Sequence, residues 1–275
     1  MRKEDFTFVI TTFRSENIIF NCLDNLPSEC KKIIVENSGN NQLKTQLEKK
    51  YKNLEYFVME DNLGYGRANN FGIKKSSTKY VFILNPDVIL TIEKFDQIIS
   101  RLKNESFSIA APIEKSNKIK FQDKIVYEVD DVKGFAMIIK REVAISTLFD
   151  ENIFLYLEEI DFCNRVRANN GKILIVNTQV DHLGGLSHGK DDSEMEKSRN
   201  WHWMWSTFYF YRKYNGYFYA LLITLPRFIS CFIKFNFYAI IKKQKKKEKY
   251  RMRFFGLFNS YLLKKSHYRP YKTKI

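Results

Sequence analysis

The chain has 275 residues, 44% of them apolar and 16% aromatic, and its 46 Lys+Arg against 31 Asp+Glu give a formal net charge of +15. That apolar content excludes disorder throughout, and the length suits one large domain or one domain with an appendage. Residues 212–275 hold 17 Lys+Arg and one acid, Glu248, a balance of +16, which leaves residues 1–211 at −1. A near-neutral body with a basic, aromatic tail argues against a fold coated all over in nucleic acid.

In chain order, FTFVI (6–10) reads as a short buried strand and residues 16–26 as a helix that Pro27 stops. KIIV (32–35) is a second strand, 42–51 a helix, and 54–59 a third strand ending at Asp61-Asn62-Leu63-Gly64. Residues 65–75 form another helix, and YVFIL (80–84) is a continuous apolar run, as a central parallel strand covered on both faces requires. Strand–helix alternation at this spacing predicts an α/β, doubly wound, mostly parallel sheet with helices on both faces. Beyond residue 105 the pattern loosens. Strands are expected over 125–140 around Gly134 and over 172–176, a helix over 157–168, and a polar loop over 187–200. Phe6 to Ile10 is too short for the apolar region of a signal peptide, so export of the body is not expected. Cys22, Cys30, Cys163 and Cys231 form no C-x-x-C pair, which excludes a zinc knuckle or thioredoxin-like motif and fits reduced core thiols in a cytosolic body.

Ligands of such sheets gather beyond the carboxyl ends of the strands. Polar residues fall there four times: Thr11-Thr12, Glu36-Asn37-Ser38, Asp61 to Gly66, and Asn85-Pro86-Asp87. Any one of them also reads as an ordinary polar turn; the set points to a binding site. Gly64-Tyr65-Gly66 lacks the third glycine of a dinucleotide motif, since position 69 is Asn69, and it follows the third strand rather than the first. A Rossmann oxidoreductase is therefore disfavoured. Asp87 can hold a hard divalent cation or serve as a helix N-cap. Glu158, Glu159 and Asp161 cluster where a helix starts, which suits a general base with a raised pKa or acids favoured by the helix dipole. Arg165, four residues after Asp161, can pair with it. His182 can join Asp87 as a metal ligand, whereas His188, His202 and His267 read as structural or surface residues.

Seven segments taken together resemble the family 2 glycosyltransferases, inverting enzymes of the GT-A fold: VITTF (9–13), IIVENSG (33–39), DNLGYGRANNFG (61–72), FILNPDV (82–88), VKGFAMIIKR (132–141), FDENIFLYLEEIDFCNR (149–165) and VDHLGGLS (180–187). The branch they are most similar to is the rhamnosyltransferase-like one that builds bacterial O-antigen and other surface glycans. The resemblance implies that Thr11, Glu36 and Asn37 line a nucleoside pocket and that Asn62, Gly64, Arg67 and Asn69 cover the nucleotide-sugar. It further implies that Asn85-Pro86-Asp87 is the metal motif, with Asp87 the single acidic ligand of Mg²⁺ or Mn²⁺ and His182 beside it. Gly134 matches an acceptor-side loop, and Arg165 and Asp161 match polar positions after the base. Glu158-Glu159 stands where the family usually has Glu-Asp, so Glu159 is the first choice of base and Glu158 the second. The expected donor is a UDP- or dTDP-sugar, with dTDP-rhamnose the lean, and the expected acceptor a glycan or a lipid-linked one.

The tail, expected to begin at residue 212 after a catalytic domain over 1–211, is aromatic to Ile241 and then runs KKQKKKEK (242–249). Pro226 and Arg227 interrupt the roughly 20 apolar residues that a spanning helix needs. Interleaved aromatic and basic residues suit a helix lying in an anionic membrane interface on the cytoplasmic face; a packed helical subdomain and a single-stranded nucleic-acid site are the alternatives. Two rival functions remain at this level, a sugar-phosphate nucleotidylyltransferase and a non-catalytic nucleotide-binding protein. The first is weakened because Thr11-Thr12-Phe13-Arg14 stands where a Gly-rich basic loop would be.

Overall fold

Alternate residues of the first strand enter two different cores. In β1 (Phe6–Thr12), Phe6, Phe8 and Ile10 pack on one face and Val9 on the other. β4 (Tyr80–Leu84) divides in the same way: Tyr80, Phe82 and Leu84 join the first core, Val81 and Ile83 the second. This double burial is why both strands read as uninterrupted apolar runs.

The structure is a computed structural model that describes residues 1–115, 124–183 and 192–271. It divides into two compact units, Met1–Asp150 with Glu159–Lys190, and Glu151–Glu158 with Asp191–Ile275. The first unit holds a nine-stranded sheet. Its other strands are β2 (Lys31–Glu36), β3 (Leu54–Val58), β5 (Val88–Ile89), β6 (Ile109–Glu114), β7 (Val126–Glu128), β8 (Ala136–Lys140) and β9 (Ile173–His182), in the order β3-β2-β1-β4-β8-β6-β9-β5 with β7 beside β9. β1 pairs in parallel with β2 and β4, and β2 with β3. β8 is antiparallel to β4 and to β6. The chain thus leaves β1 toward β2 and returns to β4 on the other side, and the carboxyl ends of β1, β2, β3 and β4 share one edge beside that reversal.

The helices of this unit are α1 (Ile19–Asp24), α2 (Lys44–Lys50), α3 (Tyr65–Lys75), α4 (Ile92–Leu102), α5 (Arg141–Thr147) and α6 (Glu158–Ala168), whose first residue belongs to the second unit. Thr91 caps α4, and its apolar stripe Phe95, Ile98, Ile99 and Leu102 closes the first core. Helix α3 lies so close to β1 that a β-carbon on Gly72 would come within 2.3 Å of Val9 Cγ1. Asn70 fixes α3 at its other side: its Nδ2 donates to Phe149 O (2.9 Å) and its Oδ1 accepts from Phe149 N (2.7 Å), both buried. All four cysteines are free and buried.

The second unit is built on α7 (Ser193–Asn215), α8 (Tyr217–Ile240) and α9 (Gln244–Tyr261). Two expectations are corrected here. Residues 193–200 begin a helix rather than completing a polar loop, because Asp192 Oδ1 accepts from Glu194 N (3.1 Å) and Met195 N (3.2 Å) and starts α7; residues 187–191 lie outside the described residues. The boundary expected between residues 211 and 212 falls inside α7, which continues to Asn215 and stops at Gly216, whose φ of 87° suits glycine. Pro226 does not end α8 either. The helix stays continuous over 24 residues, the proline removing one backbone donor rather than the helix. By length and composition alone α8 could cross a membrane; its best 18-residue window has a mean hydropathy of 1.5 and is 17% buried.

The three helices pack through aromatic rings and one close approach. Phe228 of α8 stacks on Phe254 of α9 at 4.5 Å, and Thr224 Oγ1 meets the Tyr261 hydroxyl at 3.0 Å. A β-carbon on Gly256 would come within 2.3 Å of Trp201 O, so α9 touches the backbone of α7 there. His202 is fully buried, with Nε2–H donating to Tyr268 O (2.8 Å) and Nδ1 accepting from Ser266 (3.1 Å). Burial pushes its pKa down to about 3.

Candidate active site

Parallel pairing brings Thr12 into register with Glu36, and their side chains bond. Thr12 Oγ1 donates to Glu36 Oε2 (2.6 Å), while Glu36 Oε1 accepts from Ser38 N (2.7 Å) and Ser38 Oγ (2.5 Å). The buried Glu36 carboxylate is thereby fixed at the sheet edge. Asn37 beside it organises the turn after β3: its Nδ2 donates to Asn62 Oδ1 (3.0 Å) and Gly64 O (3.2 Å), and its Oδ1 accepts from Leu63 N (2.9 Å). Gly64, at φ 82° and ψ 177°, takes a backbone that side chains disfavour, and α3 starts from it.

From α3, Asn69 Oδ1 accepts from Thr11 Oγ1 (3.1 Å) and Asn69 Nδ2 donates to Tyr65 O (3.1 Å). The Tyr65 hydroxyl donates to Gly134 O (2.5 Å), which ties the start of α3 to the loop before β8. A β-carbon on Gly134 would lie 3.4 Å from Glu159 Cβ and 3.6 Å from Tyr65 Cε1. Gly134, Tyr65 and Glu159 are therefore packed together. Glu159 is half-buried; its burial first, and then the charge of Asp131, raise its carboxyl pKa. Glu158 is 5% exposed.

The β4 end meets the β9 end because β5 and β9 pair antiparallel, with Val88 opposite His182. His182 Nε2 lies 3.4 Å from Asp87 Oδ1, and His182 Nδ1 lies 3.4 Å from Glu114 Oε1. Its ring stacks on Phe135 at 4.7 Å and 12°, and Phe135 O accepts from Asn85 N (2.8 Å). Burial disfavours a charged ring, but Asp87 and Glu114 together outweigh it and raise the His182 pKa. Asn85 Oδ1 and Asp87 Oδ1 are buried and make no hydrogen bond among the described residues. Asn85 Oδ1, shielded from water and without a donor, and Asp87 Oδ1, with the His182 ring 3.4 Å away as its neighbour, fit a hard divalent cation. No three His, Cys, Asp or Glu side chains among the described residues form a ready-made cage; Mg²⁺-type sites keep waters and take ligands from substrate phosphates.

Three hydrogen-bonded groups thus lie next to one another along the chain, Glu36 with Thr12 and Ser38, Asn37 with Asn62 and Gly64, and Asn69 with Thr11 and Tyr65; Tyr65 bonds Gly134, and Glu159 packs beside that glycine. Asn85, Asp87 and His182 form a further group. Arg67 is exposed on α3. Asp161 and Arg165 form the i, i+4 pair expected of them. Asp161 is fully buried and accepts from Arg165 Nε (2.8 Å), while the other guanidinium nitrogens donate to Thr147 O (2.6 Å) and Leu148 O (2.7 Å). The pair clamps α6 to the end of α5, which leaves its groups committed to the fold. Sequence reasoning missed Tyr65, Glu114 and Phe135. Tyr65 had a signal, being the middle residue of a strand-end Gly-x-Gly; Glu114 follows an irregular segment and had none.

Known proteins resemble this chain in family and in fold. The model of the family Glycosyl transferase family 2 matches residues 7–152. The chain is similar to the low-salt glycan biosynthesis hexosyltransferase Agl10 of Haloferax volcanii, 25% identical over 195 residues, covering 61% of this chain and 63% of that one. It thus spans less than two thirds of that relative. It is also similar to the rhamnosyltransferase WbbL of Escherichia coli K12, 23% identical over 235 residues, 70% of this chain and 88% of the relative. Among solved structures, the mannosyltransferase PcManGT of Pyrobaculum calidifontis, in complex with GDP-Man and Mn²⁺, superposes with a TM-score of 0.58 at 10% identity over 94% of this chain and 87% of that one. S. aureus TarS 1–349 in complex with UDP-GlcNAc gives 0.54 at 14% identity over 96% and 93%. A longer TarS chain is covered to 39% of its length. At these identities the likeness shows the fold, which is GT-A.

Proposed function

Because the chain belongs to glycosyl transferase family 2, we propose that it moves a sugar from a UDP- or dTDP-sugar to a hydroxyl of a lipid-linked or polysaccharide acceptor, with inversion, in the synthesis of a cell-surface glycan. The observation that carries this reading is a run of contacts along the strand ends: Asn37, next to Glu36, bonds Gly64, the neighbouring Tyr65 bonds Asn69 and Gly134, and Glu159 packs beside Gly134. Such a run can hold a nucleotide at one end and a proton acceptor at the other. The likeness to a rhamnosyltransferase over 88% of its length supports dTDP-rhamnose as the donor to try first.

In this reading Glu36 and Asn37 orient the nucleoside, and Thr11 and Asn69 border the donor. Asp87 would hold Mg²⁺ or Mn²⁺, with Asn85 and His182 beside it. When bound, the cation supplies positive charge to the leaving diphosphate. Glu159 accepts the proton of the acceptor hydroxyl as that oxygen attacks the anomeric carbon and the diphosphate departs from the opposite face. A raised pKa suits this work, since a base poised nearer neutrality drives proton removal harder. Much of the rate comes from holding the two sugars at attack distance.

Residues 212–275 would hold the enzyme peripherally on the anionic, cytoplasmic face of a membrane. Helix α8 is apolar on two sides. Ala220, Thr224 and Cys231 are buried within the helical unit, while Phe218, Leu222, Ile229, Phe232, Ile233 and Phe237 stand exposed at helical spacing. An exposed apolar stripe beside 17 Lys+Arg fits a helix lying in the lipid interface.

Incubation with Mn²⁺, dTDP-rhamnose or UDP-sugars, and a lipid-linked glycan tests the activity. Glycosylated acceptor and nucleoside diphosphate are expected. Release of pyrophosphate, or no turnover of any nucleotide sugar, overturns the reading.

A further inference from the structure

The helical unit carries a basic groove along α7 and α9. One part, a cavity of about 280 Å³, is lined by Arg199, Lys249, Arg253 and Glu196, with Tyr156 and Trp203 as walls and Asn200 among them. A second part of about 510 Å³ shares Asn200 and Lys249 and adds Lys197, Lys245 and Lys246. Two acids, Glu196 and Glu248, line it as well, and both are occupied: Arg199 holds Glu196 at 3.2 Å and Arg251 holds Glu248 at 2.9 Å. Among the described residues Lys245, Lys249 and Arg253 enter no ion pair. Arg253 is nonetheless held in place, since its Nε donates to Asn200 Oδ1 (2.7 Å) and Asn200 Nδ2 donates to Glu196 O (2.7 Å).

The walls are equally specific. Trp203 is 42% exposed and stands edge-on to Tyr156 at 5.2 Å and 83°. Tyr156 and Leu157 have φ of 72° and 69°, a left-handed backbone that side chains rarely adopt in succession. An exposed indole on a helix, facing a strained segment and beside the cations Lys249 and Arg253, is a poor stability feature and a good binding one. A guanidinium fork matches a phosphate, and aromatic edges suit the apolar face of a sugar or the first carbons of a lipid.

We infer that the groove formed by Arg199, Lys249, Arg253, Tyr156 and Trp203 binds the phosphate end of a phosphorylated lipid, through which the acceptor glycan is presented. The exposed apolar stripe of α8, in the same unit, argues for a lipid-borne phosphate over a free one. That this ligand is the acceptor rests on the transferase reading above; the phosphate site does not.

Tryptophan fluorescence of the full chain tests it with four probes: farnesyl diphosphate, farnesol, inorganic pyrophosphate and an oligothymidylate. Farnesyl diphosphate should change the emission saturably, the change should vanish in Trp203→Phe, and Arg253→Ala should weaken binding at least tenfold. Lys249→Gln, exposed and outside any packing, is the second variant and should weaken it several-fold in a chain that melts normally. Pyrophosphate should bind more weakly than the farnesyl compound. Equal binding of farnesol, or binding unmoved by both variants, overturns the proposal, as does tighter binding of an oligothymidylate. Diphosphate binding without nucleotide-sugar turnover would sink the transferase reading and leave the groove; turnover without diphosphate binding would sink the groove alone.

Discussion

The Tyr65 hydroxyl and the Gly134 carbonyl oxygen are 2.5 Å apart, and Glu159 packs against the same glycine. Tyr65, which also bonds Asn69, therefore sets the wall on which the proposed base rests. Alanine at 134 would place its Cβ at ordinary contact distance, 3.4 Å from Glu159 Cβ. Gly134→Ala should fold and melt close to the parent, whereas Gly134→Val should displace Glu159 and lower kcat at least tenfold. Paired melting and activity measurements check this; a fully active valine variant would remove Gly134 from the site.

Glu159→Gln should lower kcat by roughly 10²- to 10⁴-fold while nucleotide binding persists. Its raised pKa fixes the direction of the pH effect: the acid limb of kcat should lie above the range of an ordinary glutamate, because the protonated group cannot act as base. Stability moves oppositely. A carboxyl raised by burial favours the folded state in its protonated form and loses that contribution as pH rises through the folded pKa. At pH 8 the inactive Glu159→Gln should therefore melt higher than the parent. Calorimetry at pH 5 and pH 8 tests the sign.

Asp161→Asn should destabilise the fold, by about 3–5 kcal/mol, since it leaves Arg165 tied to two carbonyls without its buried counter-ion. Denaturant unfolding measures this. A fully stable Asp161→Asn protein with much reduced kcat would instead return Asp161 to the chemistry.

His202 gives the helical unit an acid sensitivity. Its folded pKa of about 3 lies below the usual value of 6.5, so the unfolded chain takes up the proton first as pH falls. The stability due to the neutral ring is complete above pH 6.5 and is lost on the way down toward pH 3, at up to about 1.4 kcal/mol per pH unit. His202→Gln should flatten unfolding free energy between pH 6.5 and pH 4; an unchanged slope would assign the acid sensitivity elsewhere.

Replacing Leu222, Ile233 and Phe237 by serine should release the protein from phosphatidylglycerol vesicles at low salt without altering its helix content. Sedimentation and circular dichroism check both halves. Retained binding that high salt abolishes would place attachment on the lysines alone.

The sheet was legible because β1 and β4 are buried on both faces and leave unbroken apolar runs, and the strand-end residues followed from it. The side chains that join them were not. Nothing in the spacing of Tyr65 says that its hydroxyl reaches a residue 69 positions away. Asp161 and Arg165 were legible as an i, i+4 pair, but a pair on a wet surface and a pair in a core share that spacing. Pro226 and Arg227 interrupt the apolar run in the sequence, yet the helix through them stays long and apolar enough by composition to cross a membrane. The start of α7 was readable in Asp192, whose side chain caps it, and was hidden by the polarity of the first turns.

Gly256 is the point at which α9 meets the α7 main chain, beside Trp201. Arg253 stands about one turn before it and bonds Asn200, the neighbour of Trp201. That single absent β-carbon works as a spacer gauge: it sets how far apart α7 and α9, which carry the basic residues of the groove, stand. Gly256→Ala would wedge the helices apart and detune the fit to any bound anion, though no charge had been altered.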